Sequence, residues 1–275
     1  MPRVRTNGVA TYYERRGDGR PVVFIHGLGW DHRSWWPQMA ALEEEYELVA
    51  YDYRGHGDSE TGDTDAYTVS LLADDLRELV TELDLADPVL CAHSYGGLIA
   101  AEYAIQYPDE VAGIVFADAR TTLGESTVER AVFRLQPVFH RLETVVGRDR
   151  VQRLMEFVGE HITDMEQGPD EPVPELGMTR SEYTDEVTES FSRDAEGALV
   201  RAGRAYVGAS PTDFDVPVLY TYGELTGEVI AGKADRLARA PTDVRVREIS
   251  NAGHSLMLEQ PETFTGVLRE FLADV

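Results

Sequence analysis

Residues 89–97 read Val-Leu-Cys-Ala-His-Ser-Tyr-Gly-Gly, and this stretch decides how the rest of the chain is interpreted. Its first four residues are apolar and predict a buried strand, while the residues from Gly97 onward predict a helix. Ser94 therefore stands on a tight strand-to-helix turn, with small residues two positions before it (Ala92) and two after it (Gly96). Such a turn strains the serine and exposes its hydroxyl at the edge of the sheet. We predict that Ser94 is a nucleophile; the alternative is a helix-capping serine at a glycine-rich helix start.

Apolar runs and helical periodicity alternate on both sides of this turn. Further strands are predicted at Val9–Glu14, Pro21–Ile25, Leu48–Tyr51, Val111–Ala117, Val216–Tyr222 and Val244–Ile249. The first of these alternates like an edge strand, whereas the second is a continuous apolar run. Apolar residues three and four apart between Val69 and Leu83 predict an amphipathic helix. About seven strands at this spacing predict an α/β fold with a mostly parallel sheet.

The stretch from Arg120 to Thr212 interrupts this rhythm with helical patterns alone. Roughly ninety residues are too many for a simple connection between two elements. We therefore predict an α/β core made of residues 1–119 and 213–275, with residues 120–212 inserted as a helical cap, or lid. The cap is expected over the carboxyl edge of the sheet, where ligands bind in open α/β folds.

The segment His26-Gly27-Leu28-Gly29-Trp30 follows the strand at 21–25 directly. Glycines there allow the backbone to turn an amide toward the nucleophile. An acyl-transfer reaction needs two such donors for its oxyanion, each worth ~3 kcal/mol of the barrier. We predict that the amides of Leu28 and Tyr95 form this oxyanion hole. Trp30 is a candidate substrate-binding residue, although aromatic core packing is the commoner role of such side chains.

Residues 251–255, Asn-Ala-Gly-His-Ser, form a predicted loop after the last strand. A serine nucleophile needs a base, and an imidazole with a pKa near neutrality is the usual one. His254 follows Ser94 in the expected order and stands at the carboxyl end of a strand, so we predict that it is the base. His93 is expected to point away from the nucleophile, and His26 is assigned a structural hydrogen bond in the oxyanion loop.

Four ordered motifs resemble the α/β-hydrolase superfamily: residues 26–29 (His-Gly-Leu-Gly), residues 52–59 (Asp-Tyr-Arg-Gly-His-Gly-Asp-Ser), the Ser94 turn and Gly253-His254. More narrowly, they resemble its branch of capped esterases, haloperoxidase-like enzymes and C–C hydrolases. The resemblance covers the chain except the cap. It implies an eight-stranded, mostly parallel sheet with a helical cap between the sixth and seventh strands. The turn at 52–59 is interpreted as structural, with Arg54 paired to a carboxylate.

The sequence departs from the family at the acid that orients the histidine. Family members usually carry Gly-Glu-x-Asp after the seventh strand, but residues 223–226 read Gly-Glu-Leu-Thr, with Thr226 in place of the aspartate. Asp118, Glu224 and Glu228 are the candidate substitutes, and a Ser-His dyad without an acid is also open. Asp118 ends the sixth strand, which emerges beside the nucleophile's strand, so geometry favours it. The alternative role for Asp118 is a helix cap.

The chain is strongly acidic, with 50 aspartates and glutamates against 25 lysines and arginines and a net charge of −25. Lys233 is its sole lysine. A surface of this charge repels phosphate backbones and anionic headgroups, so neither nucleic acid nor a membrane is an expected partner. The acid excess favours a halophilic host, because salt would screen the self-repulsion of the fold. A GC-rich genome would also favour arginine over lysine.

The cysteine count and the hydropathy of the chain limit the cellular location and the cofactors that we expect for the protein. Cys91 is the single cysteine, which excludes an internal disulfide and any multi-cysteine metal site. No apolar run approaches the ~20 residues of a transmembrane helix, and Met1–Thr6 lacks the apolar stretch of a signal peptide. We expect a cytoplasmic monomer or homodimer that acts on a small molecule without a metal or another cofactor.

The expected activity is hydrolysis of a small ester, lactone or related acyl substrate through Ser94, His254 and an acid. C–C bond hydrolysis and cofactor-free perhydrolysis are alternatives that use the same residues. A slow-turnover protein that senses a ligand is a further alternative, because Thr226 occupies the usual acid position. Epoxide hydrolysis and haloalkane dehalogenation are disfavoured, since both require a carboxylate nucleophile.

Overall fold

The computed structural model of the chain describes residues 2–119, 121, 147, 150, 167–208, 210, 212–227, 232, 234, 237, 239 and 244–275. Its strands are β1 (Arg3–Thr6), β2 (Val9–Arg16), β3 (Arg20–Ile25), β4 (Tyr46–Tyr51), β5 (Val89–His93), β6 (Gly113–Ala117), β7 (Pro172–Val173), β8 (Met178–Thr179), β9 (Val218–Gly223) and β10 (Val244–Ile249). Its α-helices are α1 (Trp36–Leu42), α2 (Val69–Glu82), α3 (Gly96–Gln106), α4 (Arg180–Ser190), α5 (Arg193–Ala205), α6 (Leu256–Glu259) and α7 (Pro261–Leu272). Short 3₁₀ helices occupy His32–Trp35, Thr64–Ala66 and Pro108–Glu110.

Eight of these strands form one sheet, in the order β1-β2-β4-β3-β5-β6-β9-β10. Strand β2 runs antiparallel to β1 and β4, and every other neighbouring pair is parallel. Strands β7 and β8 form a separate antiparallel pair. The predicted α/β class with a mostly parallel eight-stranded sheet is therefore confirmed.

The edge of the sheet differs from the prediction. Residues Val9–Glu14 are not an edge strand, because β1 pairs along their outer side. Asn7 and Gly8 join the two strands with positive φ angles of 42° and 86°. Asn-Gly favours such a tight hairpin turn because both residues tolerate these angles. Strand β1 escaped prediction because it is only four residues long and alternates weakly in hydrophobicity.

Helices cover both faces of the sheet and create two buried apolar clusters, one on each side. Helices α2, α3 and α5 contribute to the first cluster, and α1, α4, α6 and α7 contribute to the second. Helix α2 buries the predicted apolar face, including Leu72, Leu76 and Leu79, and the Thr68 side chain accepts a hydrogen bond from the Leu71 amide at its start. Each such leucine contributes roughly 1.5–3 kcal/mol through its burial.

The parallel strands bring the predicted site residues to one edge of the sheet. Ser94 directly follows β5, Asp118 directly follows β6, and His254 lies in the loop after β10. Of the predicted cap, the structure describes only part, chiefly β7, β8, α4 and α5. Among the described helices, none combines the length and the apolar character needed to cross a bilayer.

Candidate active site

The turn between β5 and α3 has the backbone geometry of a strained elbow. Ser94 adopts a positive φ of 51°, a conformation that costs a side-chain-bearing residue about 1–3 kcal/mol. A methyl group on Gly96 would lie only 2.6 Å from the carbonyl oxygen of Ile25, and one on Gly27 would lie 2.8 Å from Nδ1 of the buried His93 and 3.2 Å from Cβ of Ser94. Glycine is thus required at both positions, because the end of β3 packs directly against the elbow.

The structure brings Ser94, His254 and Asp118 together in one hydrogen-bonded chain. Nε2 of His254 lies 2.9 Å from Oγ of Ser94, and Nδ1 lies 3.0 Å from Oδ2 of Asp118. A carboxylate only accepts hydrogen bonds, so Nδ1–H of His254 donates to Asp118 and Nε2 is left to accept the serine proton. The Asp118 side chain is fully buried, whereas a quarter of the His254 side chain remains exposed.

Asp118 is presented to the histidine by its backbone conformation. It has a positive φ of 44°, and its amide donates to the carbonyl of Thr221 at 2.8 Å. The other candidate acids are placed differently. Glu224 accepts a hydrogen bond from the amide of Asn251 at 2.9 Å, and the Thr226 hydroxyl donates to the carbonyl of Gly223. Glu228 lies outside the described residues.

The predicted oxyanion residues lie on the two segments that meet at the elbow. Leu28 lies in a turn that two hydrogen bonds hold. The Trp30 amide donates to the Gly27 carbonyl at 3.3 Å. The Gly29 amide donates to Nε2 of His56 at 3.1 Å. Tyr95 follows the nucleophile and has a buried side chain whose hydroxyl donates to the carbonyl of Leu199, 2.7 Å away on α5. Both amides are therefore carried by backbone that is fixed by neighbouring contacts.

Trp30 packs beside the site and also lines a cavity. Its ring stacks on His93 at 5.0 Å and meets the edge of Tyr183 at 5.6 Å. It borders a cavity of about 120 Å³ between the oxyanion loop, the turn at 55–61 and the end of α4, which Phe191 also lines. Ser94 is not among the residues that line this cavity, so the cavity adjoins the oxyanion loop rather than the nucleophile.

His93 lies closer to the base than the sequence indicated. Its Nε2 donates to the backbone carbonyl of His254 at 2.9 Å, and the two rings are 4.7 Å apart. Burial lowers the pKa of His93 well below the ordinary value, so this ring is neutral. His26 instead approaches the carbonyl of Gly27 at 2.8 Å and stacks on Tyr53, in keeping with the predicted structural role.

Glu259 is a further buried acid beside the histidine loop, and the sequence alone did not identify it. Its carboxylate accepts a hydrogen bond from the amide of Gly253, the residue before His254. Burial raises the pKa of Glu259. The available signal was its position at the end of Leu-Met-Leu-Glu (256–259), where an acid interrupts an otherwise apolar run. None of the described residues form a cluster of three or more histidine, cysteine or acidic side chains suited to a metal.

The turn at 52–59 is built around two buried ion pairs. Arg54 donates to both carboxylate oxygens of Asp75, at 2.5 and 2.7 Å, which confirms the predicted pairing with a carboxylate. Asp52 accepts hydrogen bonds from the amide and ring of His32, at 2.7 and 3.0 Å. Glu14 approaches the other ring nitrogen of His32 at 3.4 Å. These contacts anchor the turn beneath the oxyanion loop.

His32 should make the stability of the protein depend on pH in the alkaline range. Burial disfavours the charged ring, but the hydrogen bonds with Asp52 and Glu14 prevail and raise its pKa from 6.5 to about 10. A raised folded-state pKa stabilises the fold fully below pH 6.5, and that contribution is lost as the pH rises through 10. At 1.36 kcal/mol per pH unit, the loss is roughly 3–5 kcal/mol.

The measurement is the free energy of unfolding by urea for wild type and His32→Gln at pH 6, 8 and 10. The difference between the two proteins should be largest at pH 6 and shrink toward pH 10. A difference in the free energy of unfolding that stays constant across this range would contradict a protonated His32. Because the glutamine variant keeps all other titrating groups, the difference isolates the contribution of His32.

Comparison with known proteins finds many relatives of this chain. The sequence profile described as the alpha/beta hydrolase fold matches residues 20–261. A non-heme chloroperoxidase, CPO-A1 of Kitasatospora aureofaciens, is 46% identical over 98 residues, which are 35% of each chain. A putative carbamate hydrolase, RutD of Caulobacter vibrioides, is 27% identical over 95% of this chain and 94% of its own.

Solved structures show the same architecture over the full length. A thermophilic esterase from Thermogutta terrifontis superposes with a TM-score of 0.75, covering 100% of this chain and 99% of its own, at 23% identity. At that identity the likeness establishes the shared fold. The eight-stranded sheet therefore belongs to a known architecture.

Proposed function

The chain belongs to the alpha/beta-hydrolase fold family, and on that premise we propose that it is a serine hydrolase of small esters, lactones or related acyl compounds. The observation that carries this proposal is the hydrogen-bonded chain from Ser94 through His254 to Asp118, with distances of 2.9 and 3.0 Å. A nucleophile within hydrogen-bond reach of a base, which a third group orients, is the arrangement that acyl transfer requires.

In the first half of the proposed reaction, Oγ of Ser94 attacks the acyl carbon while Nε2 of His254 takes its proton. The buried Asp118 carboxylate stabilises the imidazolium that forms and keeps the ring oriented. The amides of Leu28 and Tyr95 hold the negative oxygen of the tetrahedral intermediate. His254 then donates its proton to the leaving alcohol, and the acyl group remains on Ser94.

In the second half, a water molecule attacks the acyl-enzyme. His254 removes a proton from this water as it adds to the acyl carbon, and the same two amides hold the second oxyanion. Collapse of the intermediate returns the proton to Ser94 and releases the acid. The residues of the site carry every proton transfer in both halves, so this scheme calls for no cofactor.

The inserted segment is proposed to act as the cap that shapes the substrate pocket. In its described part, Phe191 stacks on His56 at 4.4 Å, and helix α5 accepts the hydrogen bond from the Tyr95 hydroxyl. The first contact reaches His56, which accepts a hydrogen bond from Gly29 of the oxyanion loop, and the second reaches the residue that follows the nucleophile. Trp30, which lies between His93 and Tyr183, is a proposed wall of the substrate site.

Perhydrolysis is the second candidate, favoured by the 46% identity with a chloroperoxidase over 98 residues. In that reaction hydrogen peroxide would replace water as the acyl acceptor at the same site. The sensing alternative depended on the absence of an acid at Thr226, and the 3.0 Å contact of Asp118 with His254 supports catalysis over that alternative.

The test of the proposed function is hydrolysis of p-nitrophenyl esters from acetate to octanoate, measured in low salt and in molar KCl. We expect turnover with a preference for short or medium acyl chains. A p-nitrophenyl alkylphosphonate should release about one equivalent of p-nitrophenol and add its phosphonyl group to the peptide that contains Ser94, as mass spectrometry would show. An ester assay repeated with hydrogen peroxide and a peracid-specific dye measures perhydrolysis.

Two outcomes would contradict the proposal. Labelling of a residue other than Ser94 would move the nucleophile elsewhere. No labelling together with no turnover at either salt concentration would remove the support for serine hydrolysis of esters.

A further inference from the structure

Glu259 is a buried acid close to the proposed base, and the reaction described above does not use it. The side chain has no exposed surface and lies at the end of α6, five residues after His254. Its Oε2 accepts the amide hydrogen of Gly253. A carboxylate in such a place is costly to desolvate and persists only where its hydrogen bonds and charge partner compensate.

The loop that carries His254 is held at its main chain from several directions. The Asn251 amide donates to Glu224, the Gly253 amide donates to Glu259, and the His254 carbonyl accepts from His93. Asn251 also has a positive φ of 56°. The Leu225 amide also donates to the Ala252 carbonyl at 2.9 Å. Because the loop is not part of a regular element, these contacts together position the imidazole.

The charge partner of Glu259 comes from the inserted segment. Nε of Arg180 lies 3.4 Å from Oε1 of Glu259, and the Arg180 side chain is 12% exposed. Arg180 is the first residue of α4, whose start is fixed by a capping box between Thr179 and Glu182. Gly168 packs so closely against Glu259 that a methyl group there would collide with its carboxylate.

We propose that Glu259 is a positioning residue for His254 and that Arg180 couples the inserted segment to the histidine loop through it. One carboxylate oxygen holds the amide next to the base, and the other faces a cation from α4. The cation from the inserted segment thereby stabilises the carboxylate that helps to hold the imidazole in line between Ser94 and Asp118. This inference rests on the proposed function, because its readout is ester turnover.

The first experiment compares Glu259→Leu, which removes the acceptor, with Glu259→Gln, which retains a carbonyl acceptor for the Gly253 amide. We expect Glu259→Leu to lower kcat about 10- to 100-fold with KM changed less than about twofold, because a displacement near 1 Å of a reacting group costs on the order of 100-fold. Glu259→Gln should stay within about threefold of wild-type kcat. Glu262→Gln is the matched control, since Glu262 is exposed in the first turn of α7.

The second experiment tests the coupling through Arg180. Arg180→Met leaves the buried carboxylate without its cation, so kcat should fall about tenfold. Adding Glu259→Gln to Arg180→Met should restore kcat to the level of Glu259→Gln alone, because the double variant has neither charge. This non-additivity distinguishes a coupled pair from two independent losses of stability.

Each variant is compared at equal concentration of active sites, counted by phosphonate labelling, and with its Tm recorded. Wild-type kcat in folded Glu259→Leu would overturn the positioning role, and so would an equal loss in Glu259→Gln and Glu259→Leu. Additive effects of the two substitutions would overturn the coupling. Failure of the proposed function itself has a separate signature, because wild type would then show neither ester turnover nor labelling of Ser94.

Discussion

Ser94→Ala is expected to lower kcat for p-nitrophenyl ester hydrolysis by about 10⁴-fold or more, with little change in KM. Alanine removes the only atom that attacks the acyl carbon in the proposed reaction, while the amides of Leu28 and Tyr95 remain. The residual rate then comes from the oxyanion hole and from substrate binding. These two contributions alone still accelerate the reaction about 10³–10⁴-fold over the uncatalysed rate. Steady-state kinetics of the purified variant measures the effect.

His254→Ala and the Ser94/His254 double variant make this result specific. If the two residues act as one unit, the double variant should be no slower than either single variant. Multiplicative losses would contradict the proposed proton transfer across the 2.9 Å contact between them. Ser70→Ala is the matched control, because Ser70 lies on α2, where it accepts a hydrogen bond from Gln106. It should retain wild-type kcat.

The central part of the fold was predictable because its local signals agree with one another. The run at 89–92 is apolar on both faces, as a strand in the middle of a covered sheet must be, and the structure buries all four residues. Ser94 is flanked by small residues, and a methyl group on Gly96 would lie 2.6 Å from the carbonyl oxygen of Ile25, so a larger residue would not fit there. At this turn the sequence pattern and the backbone geometry both reflect the close packing of the end of β3 against Gly96.

The sequence favoured Asp118 as the acid but left Glu224 and Glu228 open, because the choice depends on contacts between distant segments. Asp118 and Glu224 each follow a strand of the sheet, and only the expected place of the sixth strand beside the nucleophile's strand distinguished them. The decisive features are the strand order β5-β6-β9 and the backbone of Asp118, whose φ of 44° directs its carboxylate to an imidazole 136 residues later. The contacts of His93 and Glu259 with the histidine loop were hidden for the same reason.

Asp118→Asn is expected to lower kcat by about 10⁴-fold, while Glu224→Gln stays within a few-fold of wild type. An asparagine amide donates a hydrogen bond to Nδ1, which places the imidazole proton on Nε2, and that tautomer cannot accept a proton from Ser94. Glu224 accepts a hydrogen bond from the amide of Asn251, and the isosteric glutamine retains an acceptor there. The comparison is matched, because each substitution removes one negative charge at nearly constant shape. Near wild-type kcat in Asp118→Asn, with the deep loss in Glu224→Gln or Glu228→Gln instead, would transfer the role to that glutamate.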